Sequence, residues 1–196
     1  MKKVAIILLC IMALGLIVSC ATKNHEVALS QNKAVKGKNG IKRPDWVIYD
    51  QSNIINHYAA GYGTGKTFEI AKQKAVLNAD AELALWVSNS VQAVRDRYLE
   101  ESHVGESETY IDQFVSTSTE RALAILTGIK EVDYWEDIDG GVWVLRSIPV
   151  ANVKEQINAA IESTCADRTL FAGDTDVAAV MAKLEKALDE YFPDKK

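Results

Sequence analysis

Residues 129–150 read IKEVDYWEDIDGGVWVLRSIPV, and this stretch decides the fold. Two β-rich runs, Ile129 to Ile138 and Val142 to Val150, flank Asp139-Gly140-Gly141. An Asp-Gly pair between such runs marks a hairpin, because a two-residue turn of the right hand needs positive φ at both centres. With Asp139-Gly140 as the turn, Ile138 faces Gly141, Trp135 faces Val144 and Asp133 faces Arg146. The apolar residues then fall on both sides. Val132, Tyr134, Trp143 and Leu145 take one face; Ile129, Trp135, Val142, Val144 and Ile148 take the other. A sheet wet on one side alternates more cleanly. Both faces are therefore expected to be covered, one by a helix and the other by a second element or another subunit.

Upstream, Ile54 to Tyr62 reads as a first strand, with Ile54, Tyr58, Ala60 and Tyr62 recurring on one face. Gly61, Gly63 and Gly65 turn the chain into a long helix from Thr67 to Tyr98. Its stripe of Phe68, Ala71, Ala75, Ala79, Leu83, Val87, Val91, Val94 and Tyr98 recurs every three or four residues. Alanines in the first half allow close approach to a sheet, and larger residues in the second half fill a wider gap. Ser88-Asn89-Ser90 is a weak place in it. A polar loop over His103 to Thr109 follows. Tyr110 to Thr119 then reads as a strand, with a helix over Thr119 to Leu126 competing.

Downstream, Ala151 to Ser163 is expected to be a helix behind Pro149. A last amphipathic helix runs from Thr175 to Phe192, capped by Asp174 and stopped by Pro193. The chain thus reads as α+β: a small antiparallel sheet packed by one long helix, with C-terminal helices added. The α+β domain is placed at 44–163, and the linker with its C-terminal helix at 164–196.

The N-terminal end carries an address. Lys2 and Lys3 precede a fifteen-residue apolar run, Val4 to Val18, and Ser19 stands before Cys20. That is the charged, apolar, small-residue layout of a secretory signal over residues 1–19, and Ile17-Val18-Ser19-Cys20 ends as a lipobox does. In such a signal the Cys20 thiol takes a diacylglyceryl group, the chain is cut before it, and the new amine takes a further acyl chain such as palmitate. Two lipid signals already hold a protein stably on a membrane. The apolar run is shorter than the roughly 18 residues that a membrane span needs. Ala21 is not the aspartate that retains such proteins at an inner membrane, so the expected location is the outer membrane, in the cell envelope.

Charge divides the rest. Between Ala21 and Arg43 stand Lys23, Lys33, Lys36, Lys38, Lys42 and Arg43 against Glu26 alone, a net +5. From Pro44 on, fourteen Lys and Arg meet twenty-six acids, a net −12. Residues 20–43 read as a lipidated, basic, flexible tether. The acidic body argues against nucleic acid as a partner. Of the three cysteines, Cys10 leaves with the signal and Cys20 carries lipid, so Cys165 has no intramolecular partner.

Catalytic constellations are weighed and set aside. The stretch from Gly61 to Thr67 invites a phosphate-loop reading, but only three residues separate Gly61 from Gly65 where four are required. His25, His57 and His103 are isolated, without a cysteine or carboxylate at metal-ligand spacing. Glu100-Glu101 and Glu136-Asp137-Asp139 read as solvated surface. Trp46, Trp86, Trp135 and Trp143 read as packing residues before they read as a ligand cage. No catalytic, cofactor-binding or metal-binding residue is assigned, and the chain is expected not to be an enzyme.

The order Pro44-Asp45-Trp46-Val47, Tyr58-Ala-Ala-Gly-Tyr-Gly63, the alanine-striped helix, Val132-Asp-Tyr-Trp-Glu-Asp137 and Gly141-Val-Trp-Val-Leu145 resembles the Lpp-twenty family of bacterial outer-membrane lipoproteins. It is similar also to flagellar lipoprotein P and to the first domain of the flagellar T-ring protein. The resemblance covers Trp46 to Ile157. It implies a helix laid on an antiparallel sheet in a dodecin-like arrangement, working without catalysis or cofactor in envelope or flagellar assembly. The expected function is structural, through self-association or a partner protein. The alternative is a binding module whose Trp and Tyr side chains hold a small aromatic ligand between subunits.

Overall fold

The structure, a computed structural model, describes residues 35–102, 109–124, 126 and 129–193. The signal, the lipobox residues Ile17, Val18, Ser19 and Cys20, and both His25 and His103 lie outside the described residues. Contacts divide the chain into two units, Met1–Val35 and Lys36–Lys196, and the second holds everything that follows.

Strand β1, Asn56–Gly63, leads into helix α1, Phe68–Ser102. Helix α2, Thr109–Ala124, precedes strands β2, Lys130–Glu136, and β3, Val142–Pro149. Helices α3, Val150–Ala166, and α4, Val177–Tyr191, complete the chain, with short 3-10 turns at Asp45–Val47 and Arg168–Leu170. The three strands form one antiparallel sheet in the order β1-β3-β2. The architecture is α+β, as expected.

Helix α1 joins two packing regimes. Its first half lies on the sheet, where Ala71 and Ala75 meet Val142 and Val144. The approach is close enough to require glycine opposite. A Cβ on Gly61 would stand 2.0 Å from the Ala75 carbonyl oxygen, and one on Gly63 would stand 2.2 Å from that of Ala71. Partly buried ion pairs fix the rotation of the helix, Arg146 with Asp80 at 2.9 Å and Lys72 with Glu131 at 2.7 Å. In its second half, Leu83, Val87, Val91 and Val94 share a cluster with Ala59 and Ile148 of the sheet. They join Ile111 and Phe114 of α2, Val153, Ile157 and Ile161 of α3, and Leu184 and Leu188 of α4 in the main core. The helix does not break at Ser88-Asn89-Ser90, since Ser90 is fully buried and its hydroxyl donates to the Trp86 carbonyl at 2.9 Å.

Several boundaries and one register differ from expectation. Tyr110 to Thr119 is helical, not a strand: Tyr110, Ile111, Phe114, Ser118 and Ala122 are buried at helical spacing, and that period outweighs the β-rich composition. The hairpin turn has three residues, Ile138-Asp139-Gly140, closed by the Asp137 amide donating to the Gly141 carbonyl. Gly140 takes φ +84°, as in a type I turn followed by a bulge. The extra residue slips the pairing by one, so Trp135 faces Trp143, Tyr134 faces Val144 and Asp133 faces Leu145. A one-residue slip moves every side chain of a strand to the other face. Val142, Val144 and Ile148 point at α1 as expected, but Trp135 points away. A bulge between Glu131 and Asp133 returns Glu131 to the helix side, opposite Arg146. The cap of α4 is Asp176, whose carboxylate accepts from the Ala179 amide at 3.2 Å; Asp174 precedes it in a turn. Ile54 lies outside β1 and is exposed.

The far face of the sheet is covered by the chain's own N-terminal side. Gly37 packs on Trp135, whose indole donates to the Ile41 carbonyl at 3.2 Å. Lys36 and Lys42 bridge across a turn at Gly40, φ +73°. The Lys38 amide donates to the Glu136 carbonyl at 3.2 Å, and the Trp46 indole donates to Asp133 at 2.9 Å. Residues 36–43 were expected to belong to a flexible tether; they are folded onto the sheet, because Trp135 needs burial and a hydrogen-bond acceptor. Helix α4 lies on α1 and α3 and not on this face.

Candidate functional site

Alternation along β1 turns His57, Ala59, Gly61 and Gly63 toward α1. The glycines hold the helix close at one end of the strand. At the other end the helix stands farther off, and His57 fills the gap by stacking on Trp86, with ring centroids 4.1 Å apart and planes 11° from parallel. Phe192, just after α4, meets the edge of Trp86 at 6.2 Å and Tyr191 at 4.7 Å. The four rings form a shelf where β1, α1 and the end of α4 converge.

Clefts open on both sides of that shelf. One of about 330 Å³ lies between Asn53, Ile54, Val150 and Phe192; the other, about 380 Å³, lies between Asp50, Tyr58, Glu82, Leu85 and Asn89. Both are walled by His57 and Trp86. Burial lowers the His57 pKa, and the Asp50 carboxylate pulls it partly back up. The Asp50 pKa is itself lowered, first by the hydrogen bond from Ser52. His57 is thus a neutral ring at pH 7, an apolar plate with two nitrogens at its rim. The arrangement can receive a flat or apolar group.

Elsewhere, chemically capable residues are taken up by structure. Cys165 is buried; burial raises its pKa, Glu185 adds to the shift and Arg168 offsets it in part. A thiol in that state is a poor nucleophile. Glu101 pairs with Lys186 and Glu136 with Lys38, each at 2.7 Å, while the Asp139 carboxylate accepts from the Gly141 amide in the turn. The glycine stretch from Gly61 to Thr67 serves the close approach of α1, and its first two glycines face helix backbone, leaving no cradle for a phosphate. Among the described residues, no three of His, Cys, Asp and Glu gather as metal ligands. None of the described helices is long and apolar enough to cross a membrane.

The tryptophans are split between the two sides of the sheet. Trp135 is closed under the N-terminal cover, and Trp143 lies against Tyr62 with ring centroids 4.9 Å apart. Trp46 tethers the cover, and Trp86 alone lines the clefts. Sequence reasoning did not find the shelf, because His57 and Trp86 stand 29 positions apart and meet only once α1 folds back along β1. The cover was legible in part: Asn39-Gly40 between Lys36 and Lys42 is a hairpin mark. No family model, curated protein or solved structure matches this chain.

Proposed function

We propose that the chain is a lipid-anchored, non-enzymatic protein of a bacterial cell envelope. It is held on the outer membrane through Cys20 and works by binding a partner protein or another copy of itself. The observation that carries this reading is Ile17-Val18-Ser19-Cys20 behind two lysines and a fifteen-residue apolar run. The state of the reactive side chains supports the non-catalytic part. Cys165 is held as a buried thiol and His57 is stacked on an indole. The resemblance of its motif order to the Lpp-twenty family supports the envelope assignment, as does the packing of the alanine-striped helix on a three-stranded antiparallel sheet.

The experiment is metabolic labelling with a fatty acid, followed by detergent phase partition. The wild-type protein takes up label and enters the detergent phase. Cys20→Ala takes up none and accumulates as precursor or as water-phase protein. A wild-type protein without label, or a variant that carries as much, refutes the anchor.

A further inference from the structure

The cover over the sheet has an outer side as well as an inner one. Ile41, Ile48 and Tyr49 are 60%, 54% and 65% exposed, three large apolar side chains within nine residues. The same segment carries Lys36, Lys42 and Arg43, none in an ion pair among the described residues, and Lys38, which pairs with Glu136. The single acid from Lys36 to Tyr49 is Asp45. Because Gly37 and Trp46 lie over neighbouring positions of β2, Trp135 and Asp133, the two parts of the cover share one sheet face. Their free side therefore points away from α1.

A net-positive surface that also exposes apolar side chains, on a body otherwise strongly acidic, matches the chemistry of an anionic bilayer surface. Apolar groups enter the headgroup layer while lysine and arginine meet the phosphates. We propose that the outer side of this cover, Lys36 to Tyr49, docks on the anionic phospholipid of the membrane that carries the protein. Its biological setting rests on the lipid-anchor reading. Sixteen residues from Cys20 to Lys36 reach at most about 55 Å even when fully extended. Among the described residues the cover is thus the part nearest in sequence to the anchor, and an anchored chain keeps it within that reach of the bilayer. The acidic body is repelled by the same surface, which sets the orientation.

The test uses the chain from Ala21 on, without acyl groups, which retains every described residue. It is sedimented with vesicles of phosphatidylcholine alone and with vesicles rich in phosphatidylglycerol. Each cation held near an anionic surface strengthens binding by about five-fold. Lys36→Gln/Lys42→Gln/Arg43→Gln should therefore weaken binding by about a hundredfold, and high salt should act in the same direction. Ile41→Ser/Ile48→Ser/Tyr49→Ser should weaken it at least about ten-fold at constant charge. All six side chains are at least partly exposed, so the thermal midpoint is the control for folding.

Equal affinity for both kinds of vesicle, or indifference to both variants, overturns the proposal. So does a protein partner captured on this surface by a chain that ignores phosphatidylglycerol. Labelled Cys20 with no vesicle binding refutes the docking alone. Vesicle binding without label at Cys20 refutes the anchor alone.

Discussion

His57 is a strand residue held face to face with a helix tryptophan, and its titration follows from that position. Burial depresses its folded pKa below the ordinary value of 6.5, with Asp50 in partial opposition and Glu82 walling the same cleft. The unfolded chain then binds more protons through the interval between the two values, so stability rises with pH across it. The contribution is complete above pH 6.5 and is lost as pH falls through the depressed folded value. His57→Phe keeps a ring against Trp86 and removes the proton. Urea unfolding from about pH 7 to about pH 5 should show a steeper fall in stability for the wild type than for the variant. Equal slopes would mean that folding leaves the titration of His57 unchanged.

At the scale of elements, the free edges of the sheet are closed in part by the chain itself. On β1, the Ser52 hydroxyl accepts from the Tyr58 amide at 3.0 Å and donates to its carbonyl at 3.4 Å, and Asn78 donates to the Tyr62 carbonyl at 2.7 Å. On β2, Lys38 covers the Glu136 carbonyl. An unpaired edge is a template for another strand. Ser52→Ala should cost about 1 kcal/mol and leave Tyr58 open, raising concentration-dependent association in sedimentation velocity. A variant as monodisperse as the wild type would show that the edge is guarded by other means. The strands themselves were legible, since the alternation of Val142, Val144 and Ile148 fixed the core face of β3. Their register was not: Asp139-Gly140 and Gly140-Gly141 each offer a glycine turn, and the loop the chain adopts is the three-residue one that sets Trp135 under Gly37. Helix α2 was misread because tyrosine, isoleucine, phenylalanine and valine favour strands in isolation, whereas the buried positions from Tyr110 to Ala122 follow a helical period.

At the scale of the molecule, α4 is part of the core and not an appendage. Leu184 is fully buried and Leu188 nearly so, and Val177 and Val180 close the same cluster. Burying one leucine contributes about 2–5 kcal/mol by truncation to alanine, and a whole domain has about 5–15 kcal/mol in hand. Ending the chain before Asp174 should therefore abolish cooperative unfolding in calorimetry and leave apolar surface that associates. A truncated chain that stays monomeric and melts like the full one would overturn the shared core. Helix α1 ties this helical half to the sheet as one unbroken rod about 52 Å long. Its consequence is mechanical. A pull on the chain ahead of Lys36 loads the cover first, and there the Lys38–Glu136 and Trp135–Ile41 bonds bear force in succession. Strands β1 and β3, paired over eight residues, come under load only after the cover has parted. Tension thus strips the cover before it strains the rod, and the fastening that hides Trp135 is the part built to yield.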